Sequence, residues 1–124
     1  MQSLIHKIKK AIILSDEAEK YVYSIAKEKL ISKGEKLIHK GQVVNKTNFV
    51  TNGCLRSFRL DKNGKEHTLQ FAIKDWWISD FIAIYANEPA TLNVEAIKDS
   101  KVIAFNAKDL DEIHSLFPEF EAYQ

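Results

Sequence analysis

The sequence predicts a mainly β domain, a sandwich or roll, with helices flanking it at both ends. Three observations carry this. Short alternating runs fill the middle of the chain, glycine or asparagine separates them, and apolar residues recur at three- and four-residue spacing near the N-terminus. Many short strands spaced this way form packed antiparallel layers rather than a parallel sheet. The 124 residues suit a single domain, 1–124, and an apolar fraction of 45% is enough to bury a core.

The N-terminal part, 1–29, reads as two helices. Leu4, Ile5, Ile8, Ile12 and Ile13 form an apolar stripe with Lys7, Lys9 and Lys10 between them. Ser15 and Asp16 interrupt it. Asp16 and Glu19 have capping-box spacing, so a second helix is expected from Asp16, with Ala18, Val22, Ile25 and Ala26 on one face. A β region follows over 30–106. Its strands are expected at 30–32, 36–39, 48–51, 55–60, 66–73, 93–97 and 102–105. Asn63-Gly64 lies between two alternating runs, the strongest short hairpin signal, because both residues tolerate positive φ. Leu55, Phe58 and Leu60 before it, with Leu69, Phe71 and Ile73 after it, are expected to form the hairpin's buried face. C-terminal helices are expected over 107–124: one at 109–116 and a second opened by Pro118, too short to be stable alone.

Composition narrows the function classes. The net charge of +1 exerts no bulk pull toward nucleic acid. The halves differ, however: residues 1–62 carry 13 Lys/Arg and 6 Asp/Glu, residues 63–124 carry 5 and 11. This asymmetry reads as solvated faces or, more sharply, as self-association of opposite faces. No apolar run approaches the ~20 residues of a membrane span or the ~7–15 of a secretory signal. A cytoplasmic location is therefore expected, and the single Cys54 agrees with it.

Several local patterns support a specific likeness. Lys33-Gly34-Glu35-Lys36-Leu37-Ile38 followed by Gly41 forms a glycine-rich opening. Asn52-Gly53 precedes Leu55-Arg56, and Asn63-Gly64-Lys65-Glu66 makes the next turn. Asp75-Trp76-Trp77-Ile78-Ser79-Asp80-Phe81 leads into a short helical stretch near 79–86, and Asn87-Glu88-Pro89-Ala90-Thr91 ends it. Glu95-Ala96-Ile97 and Val102-Ile103-Ala104-Phe105 close the β region. In this order the chain resembles the cyclic nucleotide-binding domain of catabolite-activator/fumarate-nitrate-regulator-type (Crp/Fnr) bacterial transcription regulators. The resemblance covers roughly 30–124. Its Trp-Trp-Ile-Ser-Asp form resembles a subgroup of these regulators with no established ligand.

The resemblance implies a double-stranded β-helix, or jelly roll, similar in architecture to the cupins. It implies a phosphate-binding cassette after Trp77-Ile78. In that family a glutamate binds the ribose hydroxyl and an arginine pairs with the cyclic phosphate. Here Asp80 stands at the glutamate position, Ser79 at the preceding glycine and Ala90 at the arginine. The candidate ligand-binding residues are Trp77, Ser79, Asp80, Phe81, Pro89, Ala90 and Thr91. Ser79 or Asp80 is expected to cap the cassette helix, with Phe81, Ile82, Ile84 and Tyr85 on its apolar face. Residues 75–97 contain four acids and no Lys or Arg. A bidentate Arg–phosphate contact is the strong interaction in such a site. Its absence makes cyclic AMP a weak ligand or none, and no cofactor is expected.

Other residues read as structural. Adjacent Trp76 and Trp77 face opposite sides of a strand, one toward a core. Cys54 reads as a small buried filler. His6, His39, His67 and His114 lack metal-ligand spacing. Arg56 and Arg59 flank Phe58 but at a spacing of three point to opposite faces. No nucleophile–base set or phosphate-cradling Gly-rich loop can be placed. The expected function is a non-enzymatic, ligand-sensing regulatory domain. A ligand-free structural or dimerisation module is the alternative, and a cupin-like metalloenzyme is remote. A small-molecule effector is the expected partner. The resemblance implies DNA contact only through a domain beyond these residues, and homodimerisation through a long helix after Gln124. The 124-residue chain itself is then expected to dimerise weakly or not at all.

Overall fold

The computed structural model describes residues 2–118. The elements, in order, are α1 (Gln2–Ala11), α2 (Asp16–Ile25), β1 (Ala26–Ile31), β2 (Lys36–Ile38), β3 (Lys46–Asn52), β4 (Leu55–Leu60), β5 (Glu66–Ala72), β6 (Trp77–Ile78), α3 (Phe81–Ala86), β7 (Asn93–Ala96), β8 (Ser100–Asn106) and α4 (Ala107–Leu116). The strands form two four-stranded sheets, β1-β8-β3-β6 and β2-β7-β4-β5, with every pairing antiparallel. This is the mainly β jelly roll with flanking helices that the sequence predicts. The expected second C-terminal helix, from Pro118 to Gln124, lies outside the described residues apart from Pro118.

Two cores lie on either side of the first sheet. Val50 and Val102 face the second sheet, where they meet Leu55, Val94 and Ala96. Phe49, Ile103 and Phe105 face outward and are covered by Leu4, Ile5 and Ile8 of α1, Ala18 and Val22 of α2 and Ile113 of α4. β3 and β8 are thus buried on both faces, and all of Val102–Phe105 is buried. Each fully buried large apolar side chain contributes ~1.5–3 kcal/mol relative to an exposed one. Of the adjacent tryptophans, Trp77 packs in the helix-covered core, its ring centre 5.1 Å from Phe49 and 5.8 Å from Phe105, while Trp76 is exposed.

Three local readings change. The cap of α2 is Ser15 rather than Asp16: its Oγ accepts from the Ala18 N–H at 3.2 Å, one residue earlier than the capping-box reading. β1 begins at Ala26, directly after α2, because it pairs with β8 from Ala26↔Phe105 to Ile31↔Ser100. Leu30 is consequently exposed on its outer side. The largest change concerns the Asn63-Gly64 hairpin. Leu55 lies opposite Ala72 and both are fully buried, which sends Phe71 outward at 53% exposure. Leu69, Ile73 and Leu60 are exposed as well. A bulge sits between the pairs Ser57↔Gln70 and Phe58↔Thr68, leaving Leu69 as the extra residue. A one-residue slip flips every side chain of a strand to the other face, and the apolar alternation of β5 pointed to the wrong one.

Candidate functional site

The cassette runs from β6 through α3 to the start of β7. A tight turn at Ile73–Trp76 leads into it, closed by the Trp76 N–H on the Ile73 carbonyl at 3.0 Å. Asp75 in that turn has φ of 72°. Its carbonyl accepts from Lys7 Nζ at 2.8 Å, which ties α1 to the cassette's entry. Its Oδ1 is buried without a hydrogen-bond partner among the described residues.

Asp80 caps α3. It is buried at 1% exposure, and both carboxylate oxygens are engaged. Oδ1 accepts from the Ala83 N–H at 3.0 Å, and Oδ2 accepts from the Thr91 and Leu92 N–H groups at 2.9 and 3.3 Å. One side chain therefore fastens the start of the cassette to its end. A buried carboxylate needs several donors to offset its desolvation, and three backbone amides supply them. At the other end of α3, Asn87 takes a left-handed conformation (φ 54°, ψ 45°), and its N–H and that of Glu88 both reach the Ala83 carbonyl.

The other sequence-predicted residues divide. Ser79 is buried and its Oγ donates to the Lys46 carbonyl at 2.7 Å. Thr91 is exposed but its amide is held by Asp80. Ala90 is buried in the inter-sheet core, and its backbone pairs with the 41–42 loop in both directions: Gly41 N–H to Ala90 O at 2.7 Å and Ala90 N–H to Gln42 O at 2.9 Å. Pro89 is exposed and Phe81 is 42% exposed. Trp77 belongs to the opposite core, not to the cassette, because β6 directs it against Phe49 and Phe105. The expected apolar face of α3 is corrected too: Ala83 is buried and Ile84 half-buried, while Phe81, Ile82 and Tyr85 face outward.

The sequence reading missed the most connected cation. Arg56 donates through Nε and Nη2 to Glu95 Oε1 at 2.8 and 2.6 Å, through Nη2 to Glu66 Oε1 at 2.7 Å and through Nη1 to Thr68 Oγ1 at 3.1 Å. Its guanidinium carbon sits 4.3 Å from the centre of the Phe58 ring. The hydrogen bond to Glu66, then that to Glu95, holds its pKa above the usual arginine value. All these partners tie up Arg56 within the second sheet. Arg59 is exposed. His67 pairs at 3.0 Å with Asp61 at the hairpin tip, and Cys54 is half-buried rather than buried.

A family model described as the cyclic nucleotide-binding domain matches residues 28–115. The chain belongs to that family. The match spans β1 to α4 and so includes the whole cassette. Among curated proteins none matches the sequence. Solved structures of the same fold include the sensor domain of the transcriptional regulator DNR from Pseudomonas aeruginosa, with a TM-score of 0.75 at 17% identity over 88% of this chain and 73% of that one. The N-terminal domain of a transcriptional regulator from Streptomyces coelicolor A3(2) gives 0.70 at 23%, over 88% and 77%. The catabolite activator protein of Thermus thermophilus gives 0.73 at 18%, and there the chain, matched over 88% of its own length, spans only 51% of the other. In this cyclic nucleotide-binding domain the Ala83, Thr91 and Leu92 amides of the cassette are met by its own Asp80. No helix of the described residues is long and apolar enough to cross a membrane.

Proposed function

We propose that this chain is a non-enzymatic sensor module of a Crp/Fnr-type regulator whose cassette is closed on its own carboxylate and which binds cyclic AMP weakly or not at all. The observation that carries the reading is Asp80. Its two oxygens take the Ala83, Thr91 and Leu92 N–H groups, the backbone donors at the two ends of the cassette. An incoming phosphate would have to displace a buried carboxylate and would meet its negative charge. The absence of Lys and Arg over 75–97 acts in the same direction. Each lost charge-assisted hydrogen bond costs ~1.5–3 kcal/mol, and ~1.4 kcal/mol is tenfold in affinity, so micromolar binding becomes millimolar or vanishes. Ala90 supports the reading further. At 3% exposure inside the inter-sheet core, its side chain has no room to be lengthened to arginine without repacking that core.

In this reading the module works in the cytoplasm, responds to a small effector other than a cyclic nucleotide, and passes its state to a DNA-binding domain. Titration calorimetry of the chain with cyclic AMP is expected to show no saturable heat below about 1 mM. A dissociation constant in the micromolar range would overturn the reading.

A further inference from the structure

A cavity lies between β1, β3 and the 39–45 loop. It has a volume of about 200 Å³ and is lined by Lys29, Leu37, Gln42, Asn45, Lys46 and Asn48, among others. The topology explains the convergence. Ile31 and Val50 both point into the inter-sheet core. Strand alternation places Lys29 of β1 on the same face as Ile31, and Lys46 and Asn48 of β3 on the same face as Val50. Only β8 separates the two strands. Lys27, Lys29 and Lys46 therefore share the inner face of one sheet, and Lys29 and Lys46 line the cavity together with the 39–45 loop.

Nothing anionic offsets this pair. No acidic side chain lines the cavity. Among the described residues, neither Lys29 nor Lys46 has an ion-pair partner. Burial, followed by the charges of Lys46 and Lys27, pushes the Lys29 pKa down. Gln42, Asn45 and Asn48 also line the cavity and carry side-chain amides. Gln42 Oε1 is already occupied by the His39 N–H at 2.8 Å, which leaves its NH₂ as the free end.

We infer that this cavity is a binding site for a compact phosphate-class oxyanion, either inorganic phosphate or the phosphate group of a small metabolite. Lysine is a point-charge phosphate binder, and neutral amides complete the shell without competing charge. The volume falls below the ~300–1,000 Å³ of sites that enclose drug-sized ligands, so a nucleotide does not fit. The site also has a route to the cassette. Lys46 accepts from Ser79 Oγ, Asn48 Nδ2 donates to the Ile78 carbonyl at 3.3 Å, and Gln42 accepts from the Ala90 N–H. An anion that draws in Lys46 and Gln42 pulls on both ends of the cassette. This inference goes beyond the proposed function and does not depend on whether Asp80 excludes cyclic AMP.

The test is an amide NMR titration of the full chain with sodium phosphate against sodium chloride at matched ionic strength. Saturable shifts centred on residues 42–48 and Lys29 are expected, with smaller ones at 78–79 and 90, and half-saturation at about 1 mM or below. Lys29→Gln and Lys46→Gln should each weaken binding about tenfold or more, and Lys46→Arg should restore most of it. A parallel titration with glycerol phosphate separates the sources: tighter binding of the ester assigns a phosphorylated metabolite, tighter binding of inorganic phosphate the free anion. Linear, non-saturating shifts would overturn the inference. So would unchanged affinity in both glutamine variants with the wild-type amide pattern retained, or shifts centred on 79–92 instead.

Discussion

At the scale of single residues, Asp80 combines two roles that a sequence presents as one. As an N-cap it needs a single oxygen on the Ala83 N–H. As a tether it needs the second oxygen on Thr91 and Leu92. Serine separates these roles, since its hydroxyl caps well but supplies no second acceptor. Asp80→Ser is therefore expected to leave α3 formed while destabilising the chain by about 1–3 kcal/mol, through two amides stripped of their acceptor. Urea unfolding followed by circular dichroism measures this. A change within about 0.5 kcal/mol would mean that the tether contributes nothing. The cap was legible in the sequence because Ser79-Asp80 precedes a short apolar stretch. The tether was not, because it depends on the chain returning beside its own start eleven residues later. Arg56 illustrates the same limit. Its pairing with Glu95 and Glu66 requires the register of three strands, and no spacing along the sequence encodes that.

Among the elements, the β4–β5 hairpin separates what alternation can and cannot determine. Its existence followed from Asn63-Gly64, although only Gly64 takes positive φ (79°) and the turn spans 61–65, closed by the Gly64 N–H on the Asp61 carbonyl at 2.9 Å. Its facing did not. Leu69, Phe71 and Ile73 alternate as a buried strand would, yet the bulge at Leu69 and the pairing of Leu55 with Ala72 turn them outward. Burial of Phe58 and exposure of Phe71 make opposite predictions for similar substitutions. Phe58→Ala is expected to cost about 3–5 kcal/mol, because the ring is 2% exposed and carries the Arg56 guanidinium. Phe71→Ala should cost about 1 kcal/mol or less. Denaturant titrations of the two variants decide the register, and equal large losses would restore the alternation reading. The start of β1 shows a related effect. Nothing local marks Ala26 as the end of a helix, but pairing with β8 offers a full row of backbone hydrogen bonds and prevails over helical periodicity.

For the whole molecule, the layered architecture was the most legible feature. Period-two runs between glycines made the roll, and the three- and four-residue periods at the N-terminus made the helices that cover Phe49, Ile103 and Phe105. The charge asymmetry of the two halves is met in part within the chain. Arg56 of the first half pairs with Glu66 and Glu95 of the second at 2.7 and 2.6 Å. The lysine cavity stayed invisible in the sequence, because Lys29 and Lys46 look like two more members of a basic, solvated stretch until the strand between them is known. In the proposed reading, what the whole fold holds in place is a cassette fastened by Asp80 to the Ala83, Thr91 and Leu92 amides. Hydrogen exchange of the Ala83, Thr91 and Leu92 amides, measured on the chain with and without cyclic AMP, tests that claim most directly. All three amides should be protected in the ligand-free chain and unchanged by the nucleotide. Free exchange at Thr91 and Leu92 in the ligand-free chain, with protection appearing only when cyclic AMP is added, would contradict it.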